Sequence, residues 1–135
     1  MKVHHIGYLV DDINIAISKF EQLGYVRKTG LLTDSERQIY CIFLDNGGYV
    51  VELIEPISET SPVYGLRKKY RNSPYHICYE TENLQSEIDK LTDIAGGYTI
   101  MQPPQQSPEI PGAPNVAFLM SSKIGIIELL QHSKK

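Results

Sequence analysis

The stretch His5-Ile6-Gly7-Tyr8-Leu9-Val10, running into Asp11-Asp12-Ile13-Asn14-Ile15-Ala16-Ile17-Ser18-Lys19-Phe20, returns later in the chain. Its echo is His76-Ile77-Cys78-Tyr79-Glu80-Thr81, followed by Glu82-Asn83-Leu84-Gln85-Ser86-Glu87-Ile88-Asp89-Lys90-Leu91. At a constant offset of 71 residues (5 to 76), the pairs His5/His76, Ile6/Ile77, Tyr8/Tyr79, Ile17/Ile88 and Lys19/Lys90 are identical. A second echo closes each half, Val50-Val51-Glu52-Leu53-Ile54 against Ile126-Ile127-Glu128-Leu129-Leu130, at an offset of 76 (52 to 128). An internal repeat of this length means two copies of one supersecondary unit.

Each half opens with a strand pattern, about residues 3–10 and 75–81, and passes into an amphipathic helix. In the first helix Ile13, Ile17 and Phe20 recur at helical spacing, Asp11 or Asp12 can cap its start, and Gly24 can end it. In the second, Leu84, Ile88, Leu91 and Ala95 play the same part, Asn83 is the cap candidate, and Gly96-Gly97 form the stop. Three further strands fit each half: residues 25–32, 38–44 and 49–55, against 98–102, 116–120 and 124–131. Asn46-Gly47-Gly48 reads as a tight hairpin turn. The proline-rich segment 103–114 reads as a loop, and the 56–74 linker carries one short helical candidate at 63–70. The expected fold is therefore α+β, one domain over 1–135 made of two βαβββ modules. Module 1 covers about 1–57, the linker about 58–73 and module 2 about 74–132.

Length and composition agree with this reading. The chain has 135 residues, 41% of them hydrophobic and 21% charged, enough apolar material for one packed domain. Thirteen Lys and Arg against 16 Asp and Glu give a net charge of −3, so no electrostatic case exists for nucleic acid as a partner. No apolar run approaches the roughly 20 residues of a membrane helix. The first residues enter strand-like sequence without a signal-peptide core, so the expected compartment is the cytoplasm. Cys41 and Cys78 lie within strand patterns, where a small buried, reduced thiol is the usual outcome. The basic run Arg67-Lys68-Lys69-Tyr70-Arg71 could dock a phosphate, but such runs are more often a solvated helix face balanced by nearby acids.

Side chains alternate along a strand, so Val3, His5, Gly7 and Leu9 share one face and His4, Ile6 and Tyr8 the other. The repeat selects His5 over His4, because His5 alone has a counterpart, His76. A single strand histidine is usually just a hydrogen-bonded or surface residue. Glu52 and Glu128 are each the only charge in a five-residue apolar run. A lone glutamate of this kind usually faces solvent, whereas one facing the interior must be paired or bound to a cation. Both features occur twice, at matching places. If the modules pair about a pseudo-twofold axis, His5, Glu52, His76 and Glu128 meet in one cleft. That N2O2 donor set suits one divalent ion such as Zn, Co, Ni, Mn or Fe.

At these residues the sequence resembles the vicinal oxygen chelate superfamily, the group of glyoxalase I, methylmalonyl-CoA epimerase and the extradiol dioxygenases. His5 in His-Ile-Gly, Glu52 in Val-Glu-Leu-Ile-Glu-Pro, His76 in Tyr-His-Ile and Glu128 in Ile-Glu-Leu-Leu match the family's metal-ligand motifs. Within the family it is most similar to the methylmalonyl-CoA epimerases, through Glu52-Leu53-Ile54-Glu55-Pro56, Ser61-Pro62-Val63 and Pro74-Tyr75-His76-Ile77. It departs from them at Tyr75, where they usually carry a histidine, and in the segments 110–115 and 121–125, whose family counterparts touch substrate.

The resemblance implies a metal-dependent isomerase or epimerase acting by enolisation next to a carbonyl, with the cation stabilising the enolate as a Lewis acid. It implies Glu128 as ligand and base, with Glu36 as a second proton-transfer group on the other face of the substrate. It also implies a small-molecule substrate, an acyl-CoA or a thiol adduct, and a homodimer. A glyoxalase I-type lyase and a non-catalytic ligand-sequestering protein are the alternatives on this scaffold. Four retained ligand-type residues count against the last.

Overall fold

A computed structural model describes residues 1–133. These residues divide into two compact units, His5–Tyr75 and a second formed by Met1–His4 with the residues from His76 on.

The first unit holds most of strand β1 (Lys2–Leu9), helix α1 (Ile13–Gln22), and strands β2 (Val26–Arg27), β3 (Leu32–Asp34), β4 (Ile39–Asn46) and β5 (Tyr49–Pro56). Strand β5 runs parallel to β1 and antiparallel to β4, and both β2 and β3 pair with β4. Helix α1 starts where the sequence places it. The Asp12 side chain accepts the Ile15 N–H at 3.1 Å, so the second of the two candidate caps is the one used. At the other end, Gly24 takes a φ of +98°, and its N–H bonds the Glu21 carbonyl. The helix lays Ile13 and Ile17 against Ile42, Leu44, Val51 and Leu53. These odd-numbered positions of β5 face the helix, which leaves Glu52 on the opposite face of the strand.

The second unit repeats the plan with strand β6 (Ser73–Glu80, from His76 on), helix α3 (Leu84–Thr92), and strands β7 (Thr99–Gln106), β8 (Asn115–Ser121) and β9 (Gly125–Gln131). Strand β9 is parallel to β6 and antiparallel to β8, which pairs in turn with β7. Asn83 caps α3 by accepting the Ser86 N–H at 3.0 Å. Leu84 and Ile88 pack on Ala117, Leu119, Ile127 and Leu129, so Glu128 lies on the face of β9 away from the helix. The fold is thus α+β, with mixed parallel and antiparallel pairing in both units.

The Asn46-Gly47-Gly48 turn is a two-residue hairpin loop: Asn46 pairs with Tyr49, and Gly47 and Gly48 take φ of +61° and +96°. Along the chain between β5 and Ser73 come a 3-10 turn (Tyr64–Leu66) and the short helix α2 (Arg67–Tyr70), where the linker was expected to be helical.

Three expectations are corrected. The strand read over 25–32 is two short pieces, because Lys28 and Thr29 both donate their N–H to the Phe43 carbonyl while the Thr29 hydroxyl accepts the Phe43 N–H. Two residues thus oppose one, a bulge that breaks the ladder. The proline-rich segment is strand as far as Gln106, because Pro103 and Pro104 sit in the register shift between Gln102 and Gln105, where no ladder N–H is needed. Helix α3 ends at Thr92, so Ala95 lies outside it.

Candidate metal centre

In the first unit the parallel register places Gly7 beside Glu52, so His5, two residues before Gly7, projects on the same face. His5 and Glu52 are both buried, with 1% and 5% of their surface exposed, and His5 Nε2 stands 3.2 Å from Glu52 Oε1. Phe43 lies directly across the antiparallel ladder from Glu52. Its ring meets the His5 imidazole in a T-shaped contact, centroids 5.3 Å apart.

The second unit reproduces each of these relations. Cys78 is beside Glu128, and His76 lies two residues before Cys78. His76 and Glu128 are buried, and His76 Nε2 is 3.2 Å from Glu128 Oε1. Phe118 is across the ladder from Glu128, with its ring T-shaped to His76 at 5.4 Å. The chain has three phenylalanines, and two of them fill this one structural role. Neither was singled out in the sequence, although two of so few residues at matching strand positions were a usable signal.

Helix position is tied to the same strands. Three residues after Glu52, Glu55 Oε1 accepts the Ile13 N–H at 2.8 Å; three residues after Glu128, Gln131 Oε1 accepts the Leu84 N–H at 2.8 Å. Each closing strand therefore presents a glutamate on one face and, three residues further along, satisfies an otherwise orphan helix amide.

Each pair fits a metal ligand set. Donors about 2.0–2.2 Å from an ion, at angles between 90° and 110°, lie about 2.8–3.6 Å apart. The 3.2 Å spacing in both pairs falls in that range. A buried carboxylate is costly unless a cation or donors answer it, and imidazole with carboxylate is a donor combination that transition ions favour over magnesium or calcium.

The remaining singled-out residues are placed as follows. Glu36 is exposed in the turn after β3, where its backbone N–H bonds Asp34 Oδ1 at 3.0 Å. His4 approaches Glu80 at 3.7 Å. Cys41 and Cys78 are both buried, as expected. In the basic run, Arg71 and Arg67 both face Asp11, at 2.5 and 3.9 Å, which supports the reading of a charge-balanced surface. The Arg71 hydrogen bond, foremost among several causes, holds the Asp11 carboxyl below its ordinary range. No helix among the described residues is long and apolar enough to cross a membrane.

With fold and paired donors in view, the chain's kinship is plain. Residues 4–113 match the model of the glyoxalase/bleomycin resistance protein/dioxygenase superfamily, and the chain belongs to that family. Its relatives include methylmalonyl-CoA epimerases. It is 25% identical over 93 residues to the ethylmalonyl-CoA/methylmalonyl-CoA epimerase of Cereibacter sphaeroides, covering 68% of this chain and 69% of that one. It is 23% identical over 91 residues to the mitochondrial methylmalonyl-CoA epimerase of Mus musculus, covering 67% of this chain but about half (51%) of the mouse enzyme. A variant of Streptomyces coelicolor methylmalonyl-CoA epimerase, solved with 2-nitronate-propionyl-CoA, has the same fold, with a TM-score of 0.81 at 17% identity over 99% of both chains.

Proposed function

We propose that His5, Glu52, His76 and Glu128 together hold one divalent ion, of the Zn, Co, Ni, Mn or Fe class, and that the protein is an epimerase of a 2-substituted malonyl-CoA-like thioester. The observation that carries this reading is the duplicated buried His–Glu pair, at the same 3.2 Å spacing in both units. The relatives supply the substrate class: one is named for ethylmalonyl-CoA and methylmalonyl-CoA, and another was solved with a propionyl-CoA nitronate. When bound, such an ion supplies Lewis acidity toward a carbonyl oxygen and so acidifies the neighbouring C–H.

The chain's own residues carry the proton. Epimerisation removes a proton from one face of the α-carbon and returns one to the other, which calls for two bases on opposite sides. Glu128 takes the first role, as a ligand whose carboxylate also accepts the α-proton. Glu36 takes the second, from a turn exposed enough to approach a bound substrate. Phe43 and Phe118 fix the imidazole planes, so His5 and His76 keep Nε2 aimed at their glutamates. We further propose that the enzyme works as a homodimer.

The test is deuterium incorporation from D2O at the α-carbon of methylmalonyl-CoA. Wild type incorporates deuterium. Glu36→Gln keeps its metal and fold but slows epimerisation about 100-fold or more, the usual share of a general base. Glu128→Gln is more damaging, because base and charge go together. No exchange by the metal-loaded wild type, or a Glu36→Gln enzyme as fast as wild type, contradicts the two-base reading.

A further inference from the structure

Outside the two His–Glu pairs, the second unit gathers another set of metal-ligating side chains. His4 comes from the start of β1, Glu80 from the end of β6, and His132 from just beyond β9. One ligand atom from each lies within 4.8 Å of the others. His132 Nε2 is 3.2 Å and His4 Nε2 3.7 Å from the same oxygen, Glu80 Oε1, and the two imidazole rings are 5.9 Å apart. Two donors on a tetrahedral ion stand about 3.3–3.6 Å apart, and both N···O spacings lie within about 0.1 Å of that interval. The set is half-exposed: Glu80 and His132 are 28% and 54% open, and both line a cavity of about 680 Å³.

We propose that His4, Glu80 and His132 form a second metal site, a His2Glu set that takes a borderline divalent ion such as zinc and leaves a fourth position open to the cavity. Two neutral imidazoles select such an ion over magnesium or calcium, which prefer all-oxygen shells. The three ligands come from three chain segments, far apart in sequence. An ion bound there ties the first residues of β1 and the segment after β9 to the end of β6. Its role is structural, a clip within the second unit. The proposal is independent of the epimerase reading, since none of its residues belongs to either buried pair.

The experiment titrates zinc alone into wild type, Glu80→Gln and His132→Ala, reading stoichiometry and affinity by calorimetry and the exchange of backbone amides around Gln131 by mass spectrometry. His4 is left in place because it adjoins His5. Wild type is expected to bind one more zinc per chain than either variant, or to hold that zinc at least about 10-fold more tightly. Removing a ligand should cost no less than disturbing a partner behind one. Zinc should slow exchange around Gln131 in wild type only. A hydrogen-bonded cluster that holds no metal would give the same zinc stoichiometry and affinity in all three proteins, and that result overturns the proposal.

Discussion

Glu55 accepts the backbone N–H of Ile13 at 2.8 Å, so the strand that carries Glu52 also fixes where helix α1 begins. A carboxylate at a helix N-terminus satisfies an orphan donor and meets the positive end of the helix dipole. Glu55→Ala should therefore destabilise the fold by about 0.5–2 kcal/mol, the range of lost helix caps, as measured by urea unfolding. Glu55→Gln keeps an oxygen acceptor, as Gln131 does for Leu84, and should lose less than half as much. Equal losses in the two variants would show that the hydrogen bond is not what matters.

Ile17 and Ile88 occupy matching places under their helices, each 2% exposed. Truncating either to alanine removes buried methylene groups and leaves a cavity, at a cost of about 2–5 kcal/mol. Both variants should lower the midpoint of thermal unfolding by several degrees, whereas Ile15→Ala, at a position 60% exposed on α1, should leave it nearly unchanged.

Gly96 sits where α3 turns off, and a Cβ there would lie 2.3 Å from the Leu91 carbonyl oxygen and 2.7 Å from that of Lys90. Both obstacles are backbone and cannot swing aside. Gly96→Ala should cost about 1–3 kcal/mol by chemical denaturation, comparable to overpacking a core. An unchanged midpoint would mean that the helix end rearranges freely.

Asp11 gives the stability a defined acid response. The Arg71 hydrogen bond, first among several causes, holds its folded carboxyl below the ordinary carboxylate range, so the folded state favours the ionised form. That contribution is present above about pH 4 and is lost as pH falls through the lowered folded value. Because the Arg71 side chain is largely exposed and water screens the pair, the effect is small. Compared with wild type, Asp11→Asn should melt at a lower temperature at pH 6 and show a shrinking difference as the pH drops below 4. A difference that grows on acidification would contradict the assignment.

Much of this architecture was legible because the chain says it twice. The echo of His5-Ile6 in His76-Ile77 fixed the two first strands, and the Asp12 and Asn83 caps followed from short polar side chains ahead of apolar periodicity. The glutamates stood out because β5 and β9 are buried on both faces, which turns a strand's alternation into a continuous apolar run that a charge interrupts. What escaped the sequence depends on hydrogen bonds between distant segments. The bulge at Lys28 and Thr29 is set by a shared carbonyl on Phe43, and the strand through Pro103-Pro104 survives because the irregular register there leaves no N–H to be missed. Neither the Glu55 and Gln131 caps nor the phenylalanine edges carry a local signature, since each needs the strand register to be known first.

We propose that the two His–Glu pairs, one in each unit, hold a single ion. Metal content per chain, measured by plasma mass spectrometry after loading and exhaustive dialysis, tests it in wild type, His5→Ala, His76→Ala and the double variant. If the pairs share one ion, each single variant loses the same ion, and the double variant loses no more than either alone. Losses that add in the double variant, or a wild-type metal content that neither substitution alters, would contradict the claim.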